Sequence, residues 1–160
     1  MKSLKIAFVC HGNICRSPMA EFIFRRMLFE HGLEDRVTVA SFATSDEEIW
    51  GGVGNPVYPP AREELARHGI SCKGKRACKL RREDAEVYDL FLGMDSANIR
   101  NMHLILGEAA KEKIKRLLDY TKEGGDVADP WYTDRFDITY RDVTRGCEAL
   151  LAELKIMLKE

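Results

Sequence analysis

The sequence predicts an α/β fold, a single-domain three-layer sandwich whose central four-stranded parallel sheet has helices on both faces. Short apolar runs alternate along the chain with segments of helical period, which is typical of parallel α/β layering. Right-handed crossovers would place helices on both faces of the sheet. A chain of 160 residues fits one domain, which we expect to span positions 1–160.

The first strand–helix–strand unit has the clearest pattern. An apolar run over positions 4–9 predicts a buried strand, and the alternating, β-branched run over 37–41 predicts a second one. Between them we expect a helix with Ser17 as its N-cap and Pro18 at its first position. Gly32 is a natural end for that helix.

The middle of the chain contains loops, helices and one strand. Positions 46–60 are rich in glycine and proline and have no period, so we expect a loop there. A helix over 60–68 is expected to end at Gly69. Positions 79–86 suggest a short polar helix, and the apolar run over 87–93 predicts the third strand.

The last part of the chain ends in a long helix. Before it, the pattern predicts a helix over 96–106, a short fourth strand over 114–118 and an aperiodic loop over 124–137. The long helix is expected to start at Ile138. Its core stripe is expected to consist of Val143, Cys147, Leu150, Leu154 and Met157.

Composition and charge exclude several classes of function. The net charge of −1 gives no overall field that would attract nucleic acid or an acidic membrane, so we expect neither as a partner. No apolar run approaches the ~20 residues that a transmembrane helix needs, and the apolar start is too short for a signal peptide. The five cysteines favour free thiols in a reducing cytoplasm over a disulfide framework. Because no cysteine or histidine has zinc-site spacing, we expect no metal and no cofactor.

The segment between the first strand and its helix carries the main functional prediction. It reads Cys10, His11, Gly12, Asn13, Ile14, Cys15, Arg16, Ser17, Pro18. Ligands bind at the carboxyl ends of parallel strands, and the free N–H groups and dipole of a helix N-terminus attract anions. Gly12 and Asn13 accept the unusual backbone angles of a loop that curls around one phosphate. Arg16 can add a planar, bidentate fork to two phosphate oxygens.

Cys10 is the predicted nucleophile. A cysteine at the start of such a loop lies in a positive field, which favours its thiolate, and Ser17 could donate a hydrogen bond to the sulfur. A thiolate beneath a bound phosphate is placed for in-line attack on phosphorus. The structural alternative is a small buried residue at the end of a strand. The glycine, asparagine and arginine that follow favour the catalytic interpretation.

Asp129 is the predicted general acid and, later, the general base. An aryl leaving group needs a proton as it departs, and a positioned carboxylic acid typically contributes ~10²–10⁴-fold to such a step. Pro130 restrains Asp129 towards extended backbone angles. The alternative is a simple turn-initiating Asp-Pro pair. The neighbouring Asp126 and Asp134 are interpreted as solvated loop residues.

The sequence resembles the low-molecular-weight protein tyrosine phosphatases over nearly its whole length. The resemblance rests on the cysteine–arginine–serine motif within positions 8–21, on Asp-Pro-aromatic-Tyr at 129–132, and on segments at 55–61 and 88–95. It implies a Rossmann- or flavodoxin-like fold of the phosphotyrosine phosphatase I type. It also implies hydrolysis of protein phosphotyrosine or small aryl phosphates, with inorganic phosphate or other oxyanions as inhibitors.

Several further site residues are expected around the cradle. Trp131 and Tyr132 would wall a slot for the aryl ring, with Trp50 as the opposite wall. The resemblance implies that Ser41 helps to hold Asn13, in a hydrogen-bond network that includes Ser17. The resemblance also implies a disulfide between Cys10 and Cys15, which in the family protects the nucleophile from over-oxidation.

The sequence departs from the family pattern at two positions. His11 follows the nucleophile where leucine or threonine is usual, and we keep it out of the catalytic set. Gly74 stands where many members have a histidine that supports the asparagine network. Part of that support is therefore expected to be absent or supplied differently.

Three alternatives use the same cradle. Protein-arginine phosphatases tend to have threonine at the position of Ile14, so the isoleucine favours phosphotyrosine. Arsenate reduction would need a relay of two more cysteines, but Cys72 and Cys78 lack the family's relay context. A non-catalytic phosphopeptide-binding module would have no need of both Cys10 and Asp129.

Overall fold

A four-stranded parallel sheet lies at the centre of the structure, a computed structural model that describes residues 2–159. Positions 1 and 160 of the expected domain lie outside the described residues. Along the chain the strands are β1 (Leu4–Cys10), β2 (Val37–Ala43), β3 (Ile49–Trp50), β4 (Val53–Gly54), β5 (Leu90–Gly93) and β6 (Ile114–Arg116). The central sheet has the order β2-β1-β5-β6, whereas β3 and β4 form a separate antiparallel hairpin.

Helices cover both faces of the sheet, which confirms the predicted three-layer architecture. They are α1 (Arg16–Glu30), α2 (Pro59–Arg67), α3 (Ser96–Leu106), α4 (Pro130–Thr133) and α5 (Phe136–Lys159). Successive side chains of a strand point to opposite faces. On β1, Ile6 and Phe8 join the core that contains α1 and α5, whereas Ala7 and Val9 join the core that contains α3.

The strand order places the end of β1 at a topological switch point. β1 pairs with β2 on one side and with β5 on the other, in parallel register on both. Connections therefore leave β1 and β5 in opposite directions, and a crevice opens where they part. The loop from Cys10 to Arg16 follows β1 at this crevice.

The start of α1 differs from the prediction. The helix begins at Arg16, and its N-cap is Cys15, without a side-chain capping bond. The prediction of Ser17 as the N-cap is wrong. Its hydroxyl lies 3.1 Å from Cys10 Sγ and does not accept a hydrogen bond from the N–H groups at the start of the helix. Pro18 falls within the first turn, where its missing N–H costs no hydrogen bond.

Two predicted loops contain short regular elements. The loop over 46–60 holds the β3–β4 hairpin, whose turn residues Gly51 and Gly52 have φ angles of 56° and 80°. Two central residues with positive φ are characteristic of a type I′ hairpin turn, which glycines favour. The loop over 124–137 holds α4, and the long helix α5 starts at Phe136, two positions before the predicted Ile138. Elements of two to four residues are too short to show a period in sequence.

Two predicted segments differ from the structure because 3₁₀ helices occupy part of them. The polar segment over 79–86 forms a 3₁₀ helix at Arg82–Glu86, and the third sheet strand starts only at Leu90. The predicted fourth strand over 114–118 ends at Arg116, where a 3₁₀ helix follows. Among the residues that the structure describes, no helix is long and apolar enough to cross a bilayer.

The core stripe of α5 is confirmed except at its last position. Val143, Cys147, Leu150 and Leu154 are buried, but Met157 is 42% exposed. The next buried residue is Leu158, four positions after Leu154. A spacing of four suits the 3.6-residue period better than the expected three at that point of the helix.

This difference predicts a contrast in stability between two single substitutions. Leu154→Ala removes a buried side chain from the core and should lower the free energy of unfolding by about 2–5 kcal/mol. Met157→Ala, a matched truncation on the exposed side, should change it by less than about 0.5 kcal/mol. Urea unfolding followed by circular dichroism measures both, and equal effects would contradict the burial pattern of α5.

Candidate active site

The loop after β1 forms the floor of a cavity of about 420 Å³. Its lining residues are Cys10, His11, Gly12, Asn13, Ile14, Cys15, Arg16, Glu47, Glu48, Asp129, Trp131 and Tyr132. Asn13 has a left-handed backbone with φ of 60°, which asparagine tolerates better than most residues. The structure therefore brings the predicted cradle and the distant Asp129 to one place.

Cys10 is buried at the bottom of this cavity, with hydrogen-bond donors directed at its sulfur. The Ser17 N–H, in the first turn of α1, donates to Cys10 Sγ at 3.4 Å. The Ser17 hydroxyl oxygen lies 3.1 Å from the same sulfur. Donors at a helix N-terminus favour the anionic form of the atom that they face.

Arg16 is buried beside Cys10 and is held by an acidic neighbour. Its Nη1 donates to Asp95 Oδ2 at 2.7 Å and to the Val127 carbonyl at 3.0 Å. Burial alone would lower the pKa of Arg16, but the charges of Cys10, Asp95 and Asp129 outweigh it and raise the pKa above its usual value. The guanidinium is therefore a permanent cation at the cradle.

Asp95 is a site residue that the sequence analysis missed. It follows β5, the strand beside β1, and its Oδ1 caps α3 by accepting from the Asn98 N–H at 2.8 Å. Its Oδ2 holds Arg16. The available signal was its place after the strand over 87–93, because neighbouring parallel strands end at the same edge.

Asp129 faces the cradle from the loop before α4. Its backbone is extended, with φ −74° and ψ 114°, as expected for a residue before proline. Oδ1 accepts from the Trp131 N–H at 3.0 Å and caps α4, while Oδ2 lies 3.4 Å from Arg16 Nη2. One carboxylate oxygen is therefore anchored and the other is turned towards the site.

Cys15 lies in the same cavity as Cys10. Burial raises the pKa of its thiol far above the usual range, and the charge of Cys10 raises it further. The Cys15 side chain is therefore a neutral thiol at physiological pH.

The walls of the cavity agree only in part with the predicted ones. Trp131 and Tyr132 line it, and the Trp131 ring packs against Tyr58 with 5.2 Å between centroids. Trp50 does not line the cavity: it is 75% exposed on the hairpin, so its assignment as the opposite wall is wrong.

Two glutamates occupy the wall expected for Trp50. Glu47 and Glu48 precede the hairpin and line the cavity, where Glu47 Oε2 lies 3.0 Å from His11 Nε2. The Glu48 side chain accepts from Asn55 Nδ2 at 3.0 Å. The β3–β4 hairpin directs Trp50 into solvent and leaves Glu47 and Glu48 in the lining of the cavity. An aperiodic loop contains no sequence signal for this arrangement.

The expected hydrogen bonds around Asn13 are present. Asn13 Nδ2 donates to Ser17 Oγ at 2.7 Å and to Ser41 Oγ at 2.9 Å. Ser41 in turn donates to Glu21 Oε1 at 2.6 Å. Glu21, a buried carboxylate of α1, was not singled out from the sequence, although it lies within the motif segment over 8–21.

The remaining cysteines lie outside the cavity lining. Cys72 is a buried free thiol, and burial raises its pKa. Cys78 is an exposed free thiol whose backbone N–H donates to Asn13 Oδ1 at 3.0 Å. Within residues 2–159, no cluster of three or more His, Cys, Asp or Glu side chains could hold a metal ion.

Comparison with known proteins gives consistent matches over nearly the whole chain. The family model described as low molecular weight phosphotyrosine protein phosphatase matches residues 5–159. The chain is 38% identical over 154 residues to the low molecular weight protein-tyrosine-phosphatase YfkJ of Bacillus subtilis, covering 95% of this chain and 96% of YfkJ. It is 34% identical to the low molecular weight phosphotyrosine protein phosphatase of Rattus norvegicus, over 93% of this chain and 94% of that protein.

Solved structures share the fold. The crystal structure of YfkJ matches with a TM-score of 0.92 at 36% identity and covers 98% of both chains. A mutant of the YwlE arginine phosphatase with a phosphorylated active site serine matches with a TM-score of 0.82 at 28% identity, covering 95% of this chain and 96% of that chain. The same architecture therefore occurs in proteins named for two different phosphorylated residues.

Proposed function

This chain belongs to the low molecular weight phosphotyrosine protein phosphatase family and is a protein-tyrosine-phosphatase, and from this premise we propose that Cys10, Arg16 and Asp129 carry out its reaction. The observation that carries the proposal is their convergence: all three side chains line one cavity at the carboxyl end of β1. A nucleophile, a fixed cation and a carboxyl group are the three functions that transfer of a phosphoryl group from an aryl ester requires.

The reaction proceeds in two displacements at phosphorus. In the first, Cys10 Sγ forms a bond to phosphorus while the bond from phosphorus to the aryl oxygen breaks, and Asp129 in its acid form gives that oxygen a proton. In the second, the Asp129 carboxylate takes a proton from water as the water oxygen attacks phosphorus. The P–S bond breaks, inorganic phosphate leaves and the thiolate is restored.

Arg16 offers a specific edge to the phosphate. A guanidinium has five N–H donors, and both hydrogens of Nη1 are used by Asp95 and Val127. The donors left for a bidentate contact are therefore Nε and Nη2. Since Nη2 also lies 3.4 Å from Asp129, the same edge faces both the phosphate site and the proton donor.

The substrate is a phosphotyrosine-containing protein or a small aryl phosphate. Trp131 and Tyr132 provide an aromatic wall for a phenyl ring beside the cradle, and Ile14 adds an apolar contact from the loop. Inorganic phosphate and other oxyanions are inhibitors because they fit the same N–H groups and guanidinium. No nucleic acid, membrane, metal or cofactor takes part in the proposal.

The cellular setting follows from the thiol chemistry. The five cysteines are free thiols, which supports a reducing, cytoplasmic location for a single domain over 1–160. Cys15, beside Cys10 in the cavity, is the proposed partner for a protective disulfide. In that state the nucleophile would be inactive but safe from further oxidation.

A substrate panel tests the proposed substrate class. We expect phosphotyrosine peptides to be hydrolysed at least about tenfold faster, by kcat/KM, than matched phosphoarginine peptides. The reason is Ile14, whose methyl groups cannot accept a hydrogen bond from a guanidinium. Ile14→Thr should narrow this ratio, while turnover of para-nitrophenyl phosphate stays within about threefold as the control. Preference of the unaltered chain for phosphoarginine would support the arginine phosphatase alternative instead.

A further inference from the structure

A chain of hydrogen bonds runs from the nucleophile to a buried carboxylate on α1. Cys10 Sγ lies 3.1 Å from Ser17 Oγ, and Ser17 Oγ accepts from Asn13 Nδ2 at 2.7 Å. The same Nδ2 donates to Ser41 Oγ at 2.9 Å, and Ser41 donates to Glu21 Oε1 at 2.6 Å. A continuous chain of hydrogen bonds therefore joins Cys10 Sγ to the Glu21 carboxylate.

The orientation of the Asn13 amide is set by the backbone. The Cys78 N–H donates to Asn13 Oδ1 at 3.0 Å, so the oxygen must face Cys78. The NH₂ group then faces the two serines and gives one hydrogen to each. Ser17 and Ser41 are acceptors in these contacts, so each must use its own hydrogen elsewhere.

The hydroxyl hydrogens of Ser17 and Ser41 therefore point away from Asn13. Ser41 gives its hydrogen to Glu21, an acceptor in its carboxylate form. Ser17 can reach Cys10 Sγ at 3.1 Å or the Phe42 carbonyl at 3.4 Å. The closer, charged acceptor is the thiolate, because hydrogen bonds to ionised groups are the stronger ones. The direction of the whole chain therefore stabilises the sulfur anion.

Glu21 can be the end of this chain only if its buried charge is balanced. Its ion-pair partners are Arg25 and Lys75. The Arg25 side chain is 50% exposed, whereas that of Lys75 is 13% exposed. Lys75 Nζ lies 3.7 Å from Glu21 Oε1 and donates to the Ser41 carbonyl at 3.0 Å. The Arg25 contact is the shorter of the two but lies in water, whereas Lys75 pairs with Glu21 away from water and also holds the Ser41 backbone.

We propose that Lys75 is a positioning residue for catalysis, an inference that rests on the proposed role of Cys10. By pairing with Glu21 and holding the Ser41 carbonyl, Lys75 keeps the Ser41, Asn13 and Ser17 donors pointed towards Cys10 Sγ. It does so next to Gly74, where the resembling family pattern has a histidine.

Other charged or titratable groups lie near Lys75, Glu21 and Cys10, and they are not changed in the variants tested. Arg25 and Cys78 face Lys75, and the Tyr88 phenol, whose pKa burial raises, faces Glu21. At the sulfur, Arg16 and Ser17 are the nearest groups of α1. Burial lowers the pKa of Lys75, and Glu21 opposes that shift, as expected for a pair away from water.

The test measures alkylation of Cys10 by iodoacetate between about pH 4 and pH 8. Mass spectrometry of the Cys10 peptide is the readout, because the exposed Cys78 reacts as well. Lys75→Met should raise the midpoint of the Cys10 profile by about one pH unit. Lys75→Arg should restore it close to that of the unaltered chain, and Lys73→Met, an exposed lysine two positions earlier, should have no effect.

A second set of variants separates positioning from folding. Lys75→Met leaves Glu21 without its buried partner, which can destabilise the fold. The double variant Glu21→Gln/Lys75→Met removes both charges and leaves no unbalanced pair between them. It should show the same upward shift, because a glutamine amide does not require Ser41 to donate.

The outcomes distinguish this inference from the proposed function. If alkylation of Cys10 in the unaltered chain does not depend on pH, or if added inorganic phosphate does not slow it, the role of Cys10 itself fails. If both effects are present, and the Lys75→Met and double variants keep the midpoint of the unaltered chain, only the role of Lys75 is overturned. A shift with Lys75→Met that Lys75→Arg does not reverse would also contradict a role of the charge.

Discussion

Replacement of Cys10 by serine is expected to abolish turnover of para-nitrophenyl phosphate while binding of phosphate analogues remains. A serine hydroxyl is not ionised at neutral pH, so the cradle would hold a phosphate without a nucleophile beneath it. We expect kcat to fall on the order of 10⁴-fold or more. The amides of the loop and the Arg16 guanidinium are unchanged, so vanadate or phosphate should bind with affinity within about tenfold of the unaltered chain.

Steady-state kinetics and isothermal titration calorimetry measure the two halves of this expectation. Cys72→Ala is the matched control, because Cys72 is a buried free thiol outside the cavity lining. It should retain turnover. Turnover by Cys10→Ser at the level of the unaltered chain would refute the cysteinyl-phosphate mechanism for this protein.

Asp129→Asn is the substitution with the second largest expected effect. Asparagine can still cap α4 through its side-chain oxygen, as Asp129 Oδ1 does at 3.0 Å from the Trp131 N–H, but it has no proton to give. We expect kcat for phenyl phosphate to fall by ~10²–10⁴-fold. The loss should be smaller for aryl phosphates with electron-withdrawing substituents, whose phenolates leave without protonation.

A series of substituted phenyl phosphates measures this dependence on the leaving group. Asp134→Asn is the control, because Asp134 is exposed, lies five positions later and has a left-handed backbone that asparagine tolerates. Its rates should match those of the unaltered chain. An equal loss for every leaving group in Asp129→Asn would show that Asp129 shapes the site instead of donating the proton.

The cradle could be predicted from the sequence because its parts are local. The segment from Cys10 to Ser17 contains the proposed nucleophile, the loop and the start of the first helical turn in eight consecutive positions. The strand before it and the helix after it show clear periods, so the position of the loop in an α/β fold follows. The resemblance then supported the role of Asp129, which lies too far from Cys10 in sequence for a local pattern to join the two residues.

The parts that were missed or wrong depend on contacts between distant elements. Asp95 and Arg16 are 79 positions apart, and only the parallel pairing of β1 with β5 brings them together. The same holds for Lys75, whose partners Glu21 and Ser41 lie on α1 and β2. Single-sequence periodicity reports which face of an element is buried, but it does not report which polar groups meet there.

The dual contact of Asp95 makes the anion site and the fold a single cooperative unit. One oxygen of its carboxylate holds the first turn of α3, and the other holds the guanidinium of Arg16. Fraying of that helix end would remove one partner of Arg16 and leave the Val127 carbonyl and Asp129. Local opening at the start of α3 would therefore loosen the proposed phosphate ligand as well.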